Sequence, residues 1–484
     1  MAEASRNSYR GILKATSAFG GMQLLLILIN LVRGKFVAMF LGTEGMGISS
    51  LLTTSTNTLI KLSSLGLNLA IVKEIAAKKE GGESLATLLR ITTRLVRYTA
   101  IIGCVVCVLF SGLLSEWTFG NRDYAWQFVA LALMIYMTIV ANGKMSVLQG
   151  LHEVKRLSMA SVIGAATGLL ISVPLYCFFG TKGIVPAMIV FAAVLLLFYQ
   201  ISLRRTIKTE RISPTRDEFR SVSKGLIGMG AILIAGDLAG TFATYLVNIF
   251  LRSHGTVDTV GLYQAANSIT NQYTGALFAT MAMDYFPRLS AEAGDNARMT
   301  VLVNRQSEIM ALAFGPAAML IIISAPVLIR LLLTESFIPI VDLMRWMGLG
   351  ILLKGLIFPM GYITYAKNNR RLFFKLEILF TNAVLLTFSI SGYYFFALVG
   401  LGYALVADNL LCIFVYRLVN GRIYGYRFSP EVIKEYILNI SLTCLCLSAS
   451  FIDNIYVSLP AMLFLLSVSL VHSLVRIRKM LKDD

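Results

Sequence analysis

Hydrophobic positions along this chain come in long unbroken blocks, with no two-residue alternation, and each block can cross roughly 30 Å of hydrocarbon at about 20 residues per helix. Fourteen such blocks can be read, at about 16–41, 46–72, 90–114, 124–149, 157–179, 183–203, 223–251, 260–285, 304–332, 338–365, 372–395, 397–419, 433–451 and 457–476. Barrel strands alternate over about ten residues, so a β-barrel does not fit. The pattern predicts an all-α membrane protein of about 14 transmembrane helices. The first block is too long for the core of a cleaved secretory signal, so it is expected to remain as the first span.

The polar positions between the blocks orient them. Short cytoplasmic loops keep Lys and Arg, and with the N-terminus inside, the cations fall in cytoplasmic segments such as Arg6 to Lys14, Lys73 to Arg97, Arg204 to Lys224, Lys367 to Lys375 and Arg476 to Lys482. Only Arg122, Lys182 and Arg252 fall in loops on the opposite side. Both termini are therefore expected in the cytoplasm. Trp117, Trp126 and Trp346 then lie near the outer boundary, where amphipathic rings prefer to sit.

Composition agrees. With 57% hydrophobic and 14% charged residues among 484, too few polar side chains exist to coat a soluble globule. The net charge of +17 could suggest nucleic acid, but the cations form short clusters between spans, so topology explains them and membrane lipids are the partners they fit. The six Cys lie in or beside apolar segments and read as small apolar filler, and with three His in the chain no metal site or other cofactor is expected.

A polar stretch at 204–220 reads as a linker between two halves, and the halves resemble each other. Gly47 and Gly261 open spans two and eight in similar motifs, Gly183 and Gly400 open spans six and twelve, and the two pairs are separated by nearly the same length of sequence. Internal repeats of this kind are the signature of transporters. The expected organisation is two six-helix lobes, an N-terminal lobe at 1–210 and a C-terminal lobe at 211–428, plus two appended helices at 429–484.

Gly34-Lys35-Phe36-Val37-Ala38, the stretch Leu41-Gly42-Thr43-Glu44-Gly45-Met46-Gly47, and Gly66 to Ala76 with Lys73 resemble the start of Wzx-type oligosaccharide-lipid flippases. These belong to the multidrug/oligosaccharidyl-lipid/polysaccharide exporter superfamily. Gly261-Leu262-Tyr263-Gln264-Ala265-Ala266 and Phe286-Pro287-Arg288-Leu289 are similar to second-half motifs of that superfamily. The resemblance implies a two-lobed inner-membrane flippase that moves a polyprenyl-pyrophosphate-linked oligosaccharide, as in O-antigen assembly, to the outer leaflet by alternating access. Other polysaccharide-assembly membrane proteins are candidate partners.

An anionic, hydrated diphosphate needs fixed positive charge to replace its water, and ionisable groups in hydrocarbon usually face a cavity or a partner. Arg33, Lys35, Lys61, Lys144 and Lys354 all lie within the apolar blocks. Arg33 and Lys35 are about 200° apart around a helix and cannot both face one cavity; the family resemblance favours Lys35 inside. Arg90, Arg94 and Arg97 form a stripe at the start of span three, suited either to capturing a diphosphate or to anchoring on lipid phosphates. Asp237, in mid-span without a basic residue within a turn, is a candidate for proton or sodium coupling or for pairing with a cavity lysine.

Hydroxyl and amide groups complete a sugar path. Thr53 to Thr58 in span two, and Gln264, Asn267 and Asn271 in span eight, suit a hydrated wall or a helix contact. Arg305 with Glu308, and Asp342 with Arg345, read as local i,i+3 ion pairs. Pro316, Pro326 and Pro359 are expected to interrupt spans nine and ten and to permit motion.

Three rivals share this pattern. A peptidoglycan-precursor flippase would need the same cations, whereas a drug or cation antiporter would favour intramembrane acids over lysines. A glycan polymerase or ligase would carry a sizeable polar loop on its reacting side, and the sequence offers no catalytic residues for one.

Overall fold

In lipid every backbone N–H and C=O must be satisfied within the chain, and a helix does this for a continuous apolar run. The computed structural model describes residues 2–77, 82–206 and 214–483, is 92% helical and has no strand among the described residues. Lys78, Lys79 and most of the polar linker, at 207–213, lie outside the described residues, as do the side chains of Arg6, Arg10, Lys14 and Asn271. Ten helical stretches among the described residues are long and apolar enough to cross a membrane.

Contacts divide the chain into two compact units, Met1–Gly261 and Leu262–Asp484. The first contains α1 (Ala2–Ser64), α2 (Leu67–Ala77), α3 (Gly82–Leu109), α4 (Ser111–Phe119), α5 (Ala125–Gly150), α6 (Val154–Phe179), α7 (Ile184–Thr206) and α8 (Arg216–His254). It also takes in the first turn of α9 (Val257–Ala291). The second contains the rest of α9 with α10 (Asn296–Leu332), α11 (Val341–Ala366), α12 (Arg370–Phe373), α13 (Thr381–Tyr424), α14 (Pro430–Ala449) and α15 (Ile455–Asp483).

Three of the ten apolar stretches run to 44, 53 and 55 residues, far beyond a single crossing, and each contains a break. In α1 the break is Gly42, at φ 65° and ψ −162°. Between α6 and α7 it begins at Gly180, at φ 54° and ψ −134°. Within α13 it is Ala397, at φ 51° and ψ −140°. Gly180 and Ala397 are offset in sequence by the same amount as Gly183 and Gly400. A Cβ on Gly183 would meet the carbonyl of Leu175 at 2.2 Å, and one on Gly400 that of Gly392 at 1.8 Å. Each glycine therefore lies on the backbone two helical turns before it, and the two hairpins close in the same way.

The prolines behave differently from expectation. Pro316 and Pro326 lie inside an unbroken α10, and Pro359 inside an unbroken α11. Here the Tyr285 hydroxyl ties α9 to α11 by donating to the proline's own carbonyl at 2.9 Å. These helices form the tightest part of the second unit, around buried Phe314, Leu352, Met360 and Tyr416. The expected Asp342–Arg345 pair is present at 2.9 Å. Glu308 reaches α15, where Arg476 lies 2.8 Å away and also faces Glu435 at 3.5 Å. Glu435 in turn meets His472 at 2.7 Å. Glu308 and Glu435 are both buried and share Arg476, so removing it would take from Glu308 its 2.8 Å partner and leave Glu435 with His472 alone, a change of the kind that costs about 3–5 kcal/mol.

Candidate functional site

The second half of α1 and α8 run antiparallel through the first unit. Thr43 bonds Asp258 just beyond α8, the Asn248 amide reaches Thr54 at 3.4 Å, and Lys61 meets Asp237 and Thr241. The ladder ends where α1 turns into α2. Leu65 and Gly66 there take left-handed φ values of 47° and 67°. A Cβ on Gly66 would meet the Gly230 carbonyl at 2.1 Å, and one on Gly230 the Leu65 carbonyl at 2.4 Å. Bare backbone thus touches bare backbone. Asp237 lies two turns beyond Gly230 on the same face of α8, and Lys61 a little over one turn before Gly66, so this crossing brings both side chains to one level.

A cavity of about 300 Å³ opens at that level. Asn57, Lys61 and Ser64 reach it at i, i+4 and i+7 of α1, Thr138 and Asn142 at i, i+4 of α5, and Asp237 from α8. Its wall holds a cation, an anion and several amide and hydroxyl groups. The Lys61 ammonium is 2.7 Å from the Asp237 carboxylate and donates to the Thr241 hydroxyl at 2.6 Å. Thr241 donates back to the Asp237 carbonyl at 2.9 Å. The Lys61 side chain is 29% exposed and that of Asp237 65%. Pairs this open contribute about 0–1 kcal/mol, so a competing anion can displace the carboxylate at small cost.

Sequence comparison covers the same helices. Residues 36–342 match the family model described as "Polysaccharide biosynthesis protein". The chain belongs to that family. The "Lipid III flippase" of Escherichia coli (strain K12) is 23% identical over 358 residues, covering 72% of this chain and 84% of the relative, and that of Shigella flexneri matches equally. Among solved structures, "Lipid II flippase MurJ, inward closed conformation" superposes with a TM-score of 0.71 over 97% of this chain and 100% of that one, at 14% identity. An inward-facing multidrug resistance MATE family transporter of the MOP superfamily gives 0.65 over 84% and 98%, at 15% identity. At such identities these likenesses show the fold alone. The fold is the one expected from the resemblance at 34–47 and 261–289, and this polysaccharide biosynthesis protein is a multi-pass membrane protein, helical throughout its described apolar stretches.

Its other candidate residues are not among those lining the Lys61 cavity. Arg33 packs on α6 and α7, with its guanidinium 4.7 Å over the Phe191 ring and a nitrogen 3.5 Å from the Tyr176 hydroxyl. Lys35 is half-buried on the opposite face of α1 and is not among the residues lining the cavity. Lys144, two residues past Asn142, points the other way, toward α3 and α7, where it shares a water-sized space of about 20 Å³ with Arg97, Thr92 and Thr93. Arg90 is half-buried with its Nε enclosed, and Arg94 is exposed. Lys354 belongs to the second unit, 5.8 Å from the Phe278 ring and within electrostatic reach of buried Asp408.

Two pairings therefore emerge from the candidates, Lys61 with Asp237 and Lys144 with Arg97. Lys61 is not the isolated cation its sequence context suggests, because its partner comes from a helix far away in sequence. Thr138, Asn142 and Thr241 do not stand out in the sequence. Thr241 follows Asp237 by four residues, and that spacing is the available signal. The hydroxyl run of span two splits: Asn57 faces the cavity, while Ser55, Thr56 and Thr58 are buried and bond carbonyls one turn back at 2.5, 2.7 and 2.8 Å. They serve the helix contact.

Proposed function

We propose that this protein is a flippase of Wzx type that moves a polyprenyl-pyrophosphate-linked oligosaccharide from the cytoplasmic to the outer leaflet of the bacterial inner membrane. The observation that carries the proposal is the Lys61–Asp237 pair on the wall of a polar cavity within otherwise apolar helices. A diphosphate takes the place of Asp237 beside Lys61, and Asn57, Thr138 and Asn142 supply donors and acceptors for sugar hydroxyls. Asp237, once displaced, is free to take up a proton or a sodium ion, which couples release of the cargo to that ion. The reading is one of transport rather than catalysis.

Three further parts of the proposal follow from the sequence. Both termini face the cytoplasm, by the distribution of Lys and Arg. The two lobes divide at 210/211, with helices beyond 428 appended; the matching turns at Gly180 and Ala397 support a repeat of this length. Arg90, Arg94 and Arg97, with Lys144, form a second cationic zone suited to the diphosphate or to lipid phosphates. Lys35 is kept as a substrate contact on the family resemblance alone.

A second reading, a peptidoglycan-precursor flippase, shares the diphosphate chemistry. The MurJ likeness, which runs over nearly the whole chain, favours its consideration. Deletion followed by leaflet-resolved analysis of polyprenyl-linked sugars separates the possibilities. Build-up of a polysaccharide repeat unit on the inner leaflet is the expected result, and build-up of peptidoglycan precursor there selects the second reading. Unpolymerised units on the outside would point to an enzyme, and altered drug sensitivity with normal sugars to an antiporter.

A further inference from the structure

The second unit carries a pocket of about 430 Å³ at the end of α13, lined by Arg417, Arg422 and Arg427 together with Phe414, Leu418 and Tyr426. That volume is typical of sites that hold a small ligand, about 300–1,000 Å³. No carboxylate is among its described lining residues. Three like charges gathered in this way repel one another unless an anion joins them.

The pocket is built rather than accidental. Gly425 caps α13 in the left-handed region, at φ 72°, and turns the chain back on the helix. Buried Asn304 of α10 then fixes the returning segment three times over. Its amide donates to the Arg427 carbonyl at 2.9 Å, and its oxygen accepts from the Tyr426 hydroxyl and the Ser429 amide, each at 3.3 Å. Arg427 is thereby held facing the two arginines of α13, while Arg417 lies 5.5 Å from the Phe428 ring, which limits its freedom. Guanidinium groups arranged this way suit the oxygens of a phosphate, which they bind in bidentate fashion.

The lipid-facing surroundings are apolar. Phe414, Leu418 and Ile423 are all exposed large side chains on the same end of α13. A free phosphate has no use for them, whereas a lipid does. We infer that this pocket binds the phosphodiester headgroup of an anionic membrane lipid, with the acyl chains lying along Phe414 and Leu418. The site is separate from the Lys61 cavity and does not depend on the identity of the cargo.

The full chain, reconstituted in nanodiscs of phosphatidylcholine with a minor fraction of phosphatidylglycerol, provides the test, with retained phosphatidylglycerol counted by native mass spectrometry. Wild type should retain it about a hundredfold over the R417Q/R422Q/R427Q variant, since each basic residue near an anionic surface contributes about 1 kcal/mol. R422Q alone, an exposed change that leaves the fold undisturbed, should lower retention about fivefold. Millimolar inorganic phosphate should leave retention unchanged. Equal retention by wild type and R422Q would overturn the inference, and so would displacement by inorganic phosphate, which would make this a site for soluble anions.

Discussion

Lys61 and Lys354 both lie in mid-span, one in each unit, and their surroundings are opposite in kind. Lys61 has a carboxylate at 2.7 Å and a hydroxyl at 2.6 Å, in a cavity with polar walls. Lys354 has an aromatic ring at 5.8 Å and is flanked by buried Leu352, Leu353 and Leu356. The helices differ as well: 61% of the most apolar window of 335–366 is buried, against 28% for that of α8. A lysine whose charged partner is a weakly held carboxylate can exchange that partner for cargo. Lys354, exposed on a helix whose neighbouring leucines are buried, has a contact with a ring, which is worth about 0.5–2 kcal/mol.

That contrast can be tested in order of expected size. Gly66→Ala has nowhere to put its methyl group and must adopt a left-handed backbone, so it should destabilise by about 3 kcal/mol and part Lys61 from Asp237 without altering either. Gly355→Ala, beside Lys354, meets only the Phe314 ring at 3.5 Å, an ordinary contact, and should change stability by less than about 1 kcal/mol. Thermal unfolding in detergent reads both, and equal shifts would break the comparison. Next in size, Lys61→Ala should slow transport about 10- to 100-fold, the loss expected for a charged hydrogen bond to a phosphate. Lys354→Ala should stay within about twofold. A reversed order in a vesicle flipping assay would exchange the roles of the two sites.

Asp237→Asn removes the competitor for the Lys61 ammonium while keeping the side-chain shape. Half-saturation should fall by up to about fivefold, corresponding to about 1 kcal/mol, and the dependence of transport on pH or sodium should disappear. Asp408→Asn should leave both unchanged. The smallest effect belongs to the helix ends. Backbone N–H groups of Arg298 and Ala297 hold the Asp295 carboxyl below its usual range at the start of α10, and hydrogen bonds from Thr215 do the same for Glu218 at the start of α8. Each depressed group stabilises its helix above the ordinary carboxylate range and loses that contribution as the pH falls through its lowered pKa. Hydrogen exchange at 216–219 and 296–299 should therefore quicken only in strong acid. Because each unit carries one such cap, acid should affect the two units alike.

The crossings were legible because lipid leaves an apolar chain little choice. Lys61 and Asp237 were also legible one at a time, as charges in apolar blocks. Their pairing was not, since it depends on Gly66 meeting Gly230, and a glycine followed by Ala231 in a helical run looks like any other. Arg33 illustrates the converse: the residue stands out in sequence, but a ring on α7 takes it. The prolines misled because a proline's tendency to kink does not reveal how firmly the surrounding helices hold it straight, as the buried core around Phe314 and Met360 does. The turn at Ala397 was hidden by an alanine in a conformation that favours glycine, whereas Gly400, three residues on, carried the spacing that relates the two hairpins.

The antiparallel ladder of α1 and α8 has a mechanical side. From Gly66 back to Thr43 the helix climbs roughly 35 Å at about 1.5 Å per residue. The lower end has no side chains to slide past one another, whereas the upper end is fastened by the bond between Thr43 and Asp258. Any small tilt at the glycine crossing is magnified by that length at the far tip, like a door hung on a backbone hinge and held by a latch.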